Sequence, residues 1–290
     1  MSNERLQASS SPLLLLVDGS NLLFQMFYGM PARITNAEGK PIQGTLGFVG
    51  ALLKIIRMTQ PTHVAVIFDG EHENERTLLD TDYKANRPDY SQLPEEETPF
   101  SQLPDIYHAL DFLQISHMET SDCETDDILA GYALTYGKEM DIIISSFDSD
   151  FFQLITDTVK VLRYRGEKTI LCTPEWIQEK FNITPAQYAD FKSLVGDTAD
   201  NIKGADKIGP KTAAALLHTY GSLDALLAGA DFIDKPSVKA SVLQHADRLK
   251  TNYKLIKLTA DTTLPFSIEE LKFTYNGTTT TEVFKGIGLK

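Results

Sequence analysis

Asp122-Cys123-Glu124-Thr125-Asp126-Asp127 opens a stretch that closes with Asp141-Ile142-Ile143-Ile144-Ser145-Ser146-Phe147-Asp148-Ser149-Asp150. Behind the first cluster, Ile128, Leu129, Tyr132 and Ala133 recur at helical spacing, which predicts a helix. Its positive N-terminal end suits carboxylates, and Glu124 and Asp127, three apart, share a face. The second cluster follows a short apolar strand. Asp148 and Asp150 are two apart, so on extended backbone they point the same way. Carboxylates brought together repel unless a cation lies among them. An all-oxygen set without histidine suits Mg²⁺ or Mn²⁺ rather than zinc. A single Asp-x-Asp is more often a solvated strand end than a site, so recurrence decides.

The pattern recurs. Leu13–Val17 is an apolar run that ends at Asp18, and His63–Phe68 is another that ends at Asp69. A helical pattern lies between them, over Thr45–Met58. Strands alternating with helices predict an α/β fold with a mostly parallel central sheet flanked by helices. Ligands of such sheets bind outside the carboxyl ends of the strands, where all three runs deliver aspartates.

Composition bounds the rest. A hydrophobic content of 42% permits a full core, and two cysteines in 290 residues imply no disulfide framework. A reducing cytoplasm is the expected compartment. The formal net charge of −13 argues by itself against nucleic acid, but weakly, because acids committed to metal also count. Leu13–Val17 is too short for a signal-peptide core or a membrane span. Residues 1–12 are polar and read as disordered.

Residues 70–104 form a long polar excursion beside the acidic edge, the kind of loop that carries function. Between Thr77 and Pro104 the basic residues are Lys84 and Arg87, so any phosphate contact there falls on them, with Tyr83 adjoining. Farther on, Asp197 and Asp200 form a third acidic pair. They precede Lys203-Gly204-Ala205-Asp206-Lys207-Ile208-Gly209-Pro210-Lys211-Thr212, a turn that opens an alanine-rich helix. Backbone N–H groups at such a helix start suit a phosphate backbone rather than base edges. Lys203, Lys207 and Lys211, spaced by fours, would make one basic stripe. Thr278–Thr281 reads as part of a loose tail.

Several blocks together resemble one family, the bacterial 5′-nucleases: the N-terminal nuclease domain of DNA polymerase I and the stand-alone 5′-3′ exonuclease/flap endonucleases. They are Val17-Asp18-Gly19, Phe68-Asp69, Asp82-Tyr83-Lys84-Ala85-Asn86-Arg87, Glu124-Thr125-Asp126-Asp127, Asp148-Ser149-Asp150 through Leu154, Gly196-Asp197 through Asn201, and the Ile208-Gly209 turn. The resemblance covers about residues 13–230 in order, and the absence of a following polymerase region favours the stand-alone type. It implies a PIN-like nuclease core over residues 13–180 with a helical arch at 70–104. A helical, DNA-binding helix–three-turn–helix region over 181–290 would follow.

The resemblance also implies roles. Asp18, Asp69, Glu124 and Asp126, with Asp127 beside them, match a first metal cluster. Asp148, Asp150 and Asp200, with Asp197 adjoining, match a second. Lys84 and Arg87 match the basic pair at the scissile phosphate. Tyr83, Lys203, Gly204, Lys207, Ile208, Gly209, Lys211 and Thr212 fall to DNA binding, with K⁺ at the turn. The implied activity is Mg²⁺-dependent hydrolysis, by a cytoplasmic monomer, of DNA at 5′ ends, nicks and 5′ flaps in replication and repair. The alternative is a paralogue that binds branched DNA without cutting it. The departures from the pattern are Gln25 for a usual arginine, Lys207 for a glycine and Phe147 for a small residue. A haloacid-dehalogenase reading fails at Phe152, and a calcium-loop reading fails at Gln153, where that loop needs glycine.

Overall fold

The computed structural model describes residues 11–30, 32–70, 75–87, 90 and 93–289. Most of the segment read as disordered, residues 1–10, and parts of the excursion at 71–74, 88–89 and 91–92 lie outside the described residues.

The apolar runs become the strands β1 (Leu13–Asp18), β2 (His63–Phe68) and β4 (Asp141–Ser145), joined by β3 (Ser116–Glu119), β5 (Val159–Arg163) and β6 (Ile170–Cys172). They form one sheet of order β3-β2-β1-β4-β5-β6, parallel except for β6. The runs are unbroken because both faces of the sheet are covered. Leu14, Leu16, Ala65, Ile67, Ile142 and Ile144 pack into one core, and Leu15, Val17, Val64, Val66 and Ile143 into the other. Each leucine, isoleucine or valine among them contributes about 1.5–3 kcal/mol on burial.

Helices α1 (Gly19–Gly29), α2 (Gln43–Thr59) and α4 (Leu103–Phe112) cover one face. Helix α5 (Thr125–Tyr136) covers the other, with α6 (Pro174–Phe181), α7 (Tyr188–Val195) and α8 (Pro210–Tyr220). The short α3 (Glu75–Leu79) lies in the excursion. Helices α9 (Leu223–Ala228), α10 (Pro236–Gln244), α11 (Ala246–Ile256) and α12 (Thr280–Gly286) complete the chain. The helical region shares the β4–α5 core, with Phe152, Phe191, Ala213 and Leu217 in one cluster.

Strand order reverses between β1 and β4: the chain builds outward through β2 and β3, then crosses back to β4. The crevice at the carboxyl ends of β1 and β4 is therefore the expected ligand position.

Two local expectations are corrected. Thr278–Thr281 is no loose tail. Thr279 N-caps α12 in a capping box with Glu282, and Val283 packs on Val49, Leu53 and Ala109. Asp148 and Asp150 are not on extended backbone. The strand ends at Ser145, Asp148 Oδ1 accepts the Asp150 N–H at 2.8 Å, and Asp150 opens a 3₁₀ turn to Leu154. A short acidic side chain that captures the N–H two residues on favours a turn over a strand.

Candidate metal and nucleic-acid site

Asp18 ends β1 and N-caps α1. Its Oδ1 accepts the Asn21 N–H at 2.9 Å, and its Oδ2 accepts from Ser146 Oγ at 2.8 Å. Asp69 follows β2; its Oδ1 accepts the Thr125 N–H at 2.9 Å, and its own N–H donates to Ser20 Oγ at 2.8 Å. Glu124 N-caps α5. These three, with Asp126 and Asp148, line one cavity of about 480 Å³ whose other wall carries Lys84 and Arg87. Phe24, Tyr90 and Phe100 close it with an edge-to-face cluster, centroids 5.6–5.7 Å apart.

The electrostatics mark this edge as short of positive charge. Burial, then Asp69 and Asp148, pushes the Asp18 carboxyl up to about 7. Burial, then Asp148, holds Asp126 well above the usual carboxylate range. Glu124 differs. Burial would raise it, but Lys84 and Arg76 hold it below its ordinary value. Lys84 Nζ lies 2.6 Å from its Oε1, and Arg76 Nη1 lies 2.5 Å from its Oε2.

The second cluster has its own cation. Lys192, buried on α7, contacts the carboxylates of Asp150 and Asp197. Burial pushes Asp150 up to about 7 even so, with Lys192 opposing and Asp148 adding to the rise. Asp200 is buried and accepts from Arg87 Nη2 at 3.2 Å. As the side chains stand, no three acids among the described residues enclose an ion; Glu124, Asp150, Asp197 and Asp200 are each drawn onto a lysine or arginine. The donor set is nonetheless one that fits hard divalent cations. It is all oxygen, and Asp18, Asp126 and Asp150 are pushed toward protonation, first by burial and then by neighbouring acids, a shift that a bound cation reverses.

The base of the excursion is fastened to the second cluster. The Lys84 N–H donates to the Asp200 carbonyl at 3.0 Å, Asn86 Nδ2 to the Thr198 carbonyl at 2.9 Å, and Asn201 Nδ2 to the Asp82 carbonyl at 2.7 Å. Lys84 takes a left-handed φ of 57° in doing so.

Several expected site residues stand elsewhere. Asp127 does not line the cavity. It completes the capping box of α5 by accepting the Glu124 N–H and pairs with Arg76 at 2.6 Å. Its three-residue spacing from Glu124 is that of a helix cap. Tyr83, expected at DNA, is 6% exposed, packs with Ala189, Ile202, Leu255 and Ile256, and donates its hydroxyl to Glu124 at 3.3 Å. Its apolar ring favours that pocket over a phosphate.

At the turn, Ile208 is buried, and the N–H groups of Ala205, Ile208, Thr212 and Ala213 are bonded within the protein. The expected row of free N–H groups is therefore narrower. Gly204 is required, since a Cβ there would stand 2.4 Å from the Leu194 carbonyl oxygen. Lys203, Lys207, Gly209 and Lys211 are exposed. The lysines sit on a two-residue strand, a left-handed turn position (φ 65°) and α8, so their spacing by fours follows no single helix. Gln25 turns away from the cavity and donates to the Tyr164 carbonyl at 2.8 Å.

Sequence reasoning missed Arg76 and Lys192. Each carries a faint signal: Lys192 is the one lysine or arginine in the Tyr188–Val195 helix, and Arg76 the one lysine or arginine between Gly70 and Asp82.

Comparison with known proteins agrees with this geometry. The family described as 5′-3′ exonuclease, N-terminal resolvase-like domain, matches residues 13–182, and that described as 5′-3′ exonuclease, C-terminal SAM fold, matches residues 183–278. The chain belongs to the 5′-3′ exonuclease family. Thermostable DNA polymerase I of Thermus aquaticus is 36% identical over 259 residues, which cover 89% of this chain and 30% of that protein. The chain thus spans under a third of the polymerases it matches. The 5′-3′ exonuclease of Aquifex aeolicus is 30% identical over 261 residues, covering 89% of this chain and 86% of the relative. Among solved structures, the T5 D15 protein co-crystallised with metal ions aligns with a TM-score of 0.71 at 22% identity, covering 84% of this chain and 88% of that one. The catalytic core of Rad2 in complex with DNA substrate aligns at 0.58 and 16%, covering 96% and 92%. At these identities the structural likeness is one of fold.

Proposed function

We propose that this chain is a divalent-metal-dependent 5′-nuclease that hydrolyses DNA phosphodiesters at 5′ ends, nicks and 5′ flaps. One observation carries the reading: carboxylates delivered by β1, β2, the start of α5 and the segment after β4 converge on one cavity that faces Lys84 and Arg87. Asp18, Asp69, Glu124, Asp126 and Asp148 would hold one Mg²⁺, and Asp148, Asp150, Asp197 and Asp200 a second, with Mn²⁺ able to substitute. Bound there, the metals supply an activated water and charge stabilisation for in-line displacement. The chain's own part is to gather the ligands and to present Lys84 and Arg87 to charge developing on the phosphate. Each base now rests on a carboxylate that a phosphate oxygen can replace. Arg87 can grip two oxygens with its planar fork, and Lys84 acts as a point charge.

Lys203, Lys207 and Lys211 are exposed around the turn and would hold duplex phosphates, which makes affinity fall with salt. The carbonyls of Lys203 and Gly204 accept from Asn252 and Arg248. Each keeps a second lone pair that suits K⁺. No helix among the described residues is long and apolar enough to cross a membrane, and we read the protein as a cytoplasmic monomer in replication and repair.

The test uses a labelled 5′-flap duplex. The wild-type chain should cleave it in Mg²⁺ and stop in EDTA. Asp200→Asn should bind the flap within a few-fold of wild type and lose most of the cleavage rate. Cleavage that survives EDTA overturns the metal reading, and a chain that binds but never cuts is a passive binder.

A further inference from the structure

Beyond Ser145 the chain leaves the sheet, so no strand ladder fixes the peptide that joins Phe147 to Asp148. It is fixed instead from both sides. Its N–H donates to Ser146 Oγ at 3.0 Å, and its carbonyl accepts from Arg163 Nη2 at 3.0 Å. One residue earlier, the Phe147 N–H donates to Asn21 Oδ1 at 3.0 Å. Arg163 ends β5, and its guanidinium lies 5.0 Å from the Phe147 ring centroid and 5.6 Å from that of Phe152. Both distances lie within cation–π range.

Arg163 makes no ion pair among the described residues, and its Nε is buried without a partner. A guanidinium placed so does not neutralise an acid. It is held by two rings and spent on one carbonyl, and a charged donor in a sheltered place makes the stronger kind of hydrogen bond. Asp148, which projects from the clamped peptide, reaches the cavity beside Asp18 and Asp126.

We infer that Arg163 is a positioning residue for the metal edge: by holding the Phe147 carbonyl it sets the direction from which Asp148 meets a divalent ion. The inference rests on the reading of Asp148 as a metal ligand. Groups that orient a ligand from behind typically cost roughly 10-fold or more in metal affinity when removed. The Phe147 ring lies against the guanidinium.

The experiment compares the wild-type chain with Arg163→Met, which keeps the aliphatic stem and loses the donors, Arg163→Lys, which keeps one charge, and Phe147→Leu, which keeps the carbonyl. Mn²⁺ binding without DNA is followed by the electron paramagnetic resonance of free Mn²⁺. The half-saturating Mg²⁺ for flap cleavage, flap affinity in Ca²⁺ and thermal unfolding complete the set. Arg163→Met should weaken Mn²⁺ binding and raise the Mg²⁺ half-saturation by roughly 10-fold, with flap affinity unchanged and the cleavage rate recovered in excess Mg²⁺. Arg163→Lys should fall between it and wild type, and Phe147→Leu should move least. Mn²⁺ binding by Arg163→Met equal to that of wild type overturns the inference. So does a loss shared equally by Arg163→Lys and accompanied by a fall in the unfolding temperature. If the wild-type chain neither binds Mn²⁺ nor cleaves, the metal reading itself has failed; if it does both and Arg163→Met matches it, only the role of Arg163 has.

Discussion

Replacing Lys192 with methionine removes one charge and keeps the side chain's length. The ammonium is 6% exposed and touches two carboxylates, Asp150 and Asp197, themselves 7% and 15% exposed. Burial alone would lower the Lys192 pKa, but Asp150, Asp148 and Asp197 hold it above the ordinary lysine range, so it is charged at neutral pH. Removing one partner of such a buried pair costs about 3–5 kcal/mol. The low end applies here, because Asp150, already at about 7 beside Lys192, takes up a proton once the ammonium is gone. A loss of about 3 kcal/mol in a chain of this size lowers the unfolding temperature by roughly 6–12 °C. That is the expectation in EDTA. In excess Mg²⁺ an ion at the cluster supplies the missing charge and adds binding energy to the folded state, so the deficit should shrink to less than half. Lys192→Arg should stay near wild type. The assay is thermal unfolding by circular dichroism in both conditions. An equal deficit with and without Mg²⁺, or one below about 1 kcal/mol in EDTA, would refute the reasoning.

Asp18 and Asp150 reach about 7 in the folded chain, above the ordinary carboxylate range, so their ionisation works against the fold. Without metal, stability should fall as pH rises from the carboxylate range to about 7 and then level off. Mg²⁺ should flatten that fall, and urea midpoints that rise across the window in EDTA would contradict it. Lys84→Ala should slow single-turnover flap cleavage by roughly 10²–10³, and a loss under about threefold removes Lys84 from the chemistry. Replacing Lys203, Lys207 and Lys211 with glutamine should flatten the salt dependence of duplex binding; an unchanged slope places the duplex elsewhere.

The sheet was legible because its strands are covered on both faces. Leu13–Val17, His63–Phe68 and the Asp141 run read as unbroken apolar segments, and each delivers an acid to the crevice edge. Caps were less legible, since a helix N-cap and a metal ligand call for the same residue types. Asp127 reads as a ligand and serves Glu124 as a cap, while Thr279 reads as slack and starts a helix. Tyr83 was misplaced for another reason. Its pocket is built by Ala189, Ile202, Leu255 and Ile256, more than a hundred residues away in the chain, and no local pattern announces it. Distance along the chain also hid Lys192, whose partner Asp150 lies 42 residues away on another element. Net charge was a weak guide, because it counts acids gathered at one edge together with the exposed lysines of the turn, which lie elsewhere.

The fastening of Lys84 and Asn86 to the Thr198–Asn201 loop has a thermodynamic consequence. The wall that would meet a phosphate and the loop that would hold the second ion share one set of hydrogen bonds, one between backbones and two from asparagine side chains to carbonyls, so ordering one favours ordering the other. If an ion at the loop steadies the wall and so favours a DNA strand, that strand must favour the ion by the same factor. The affinity of this site for metal is then not a constant of the free protein: it is set partly by the substrate, and the ion is held most firmly when there is a bond to cut.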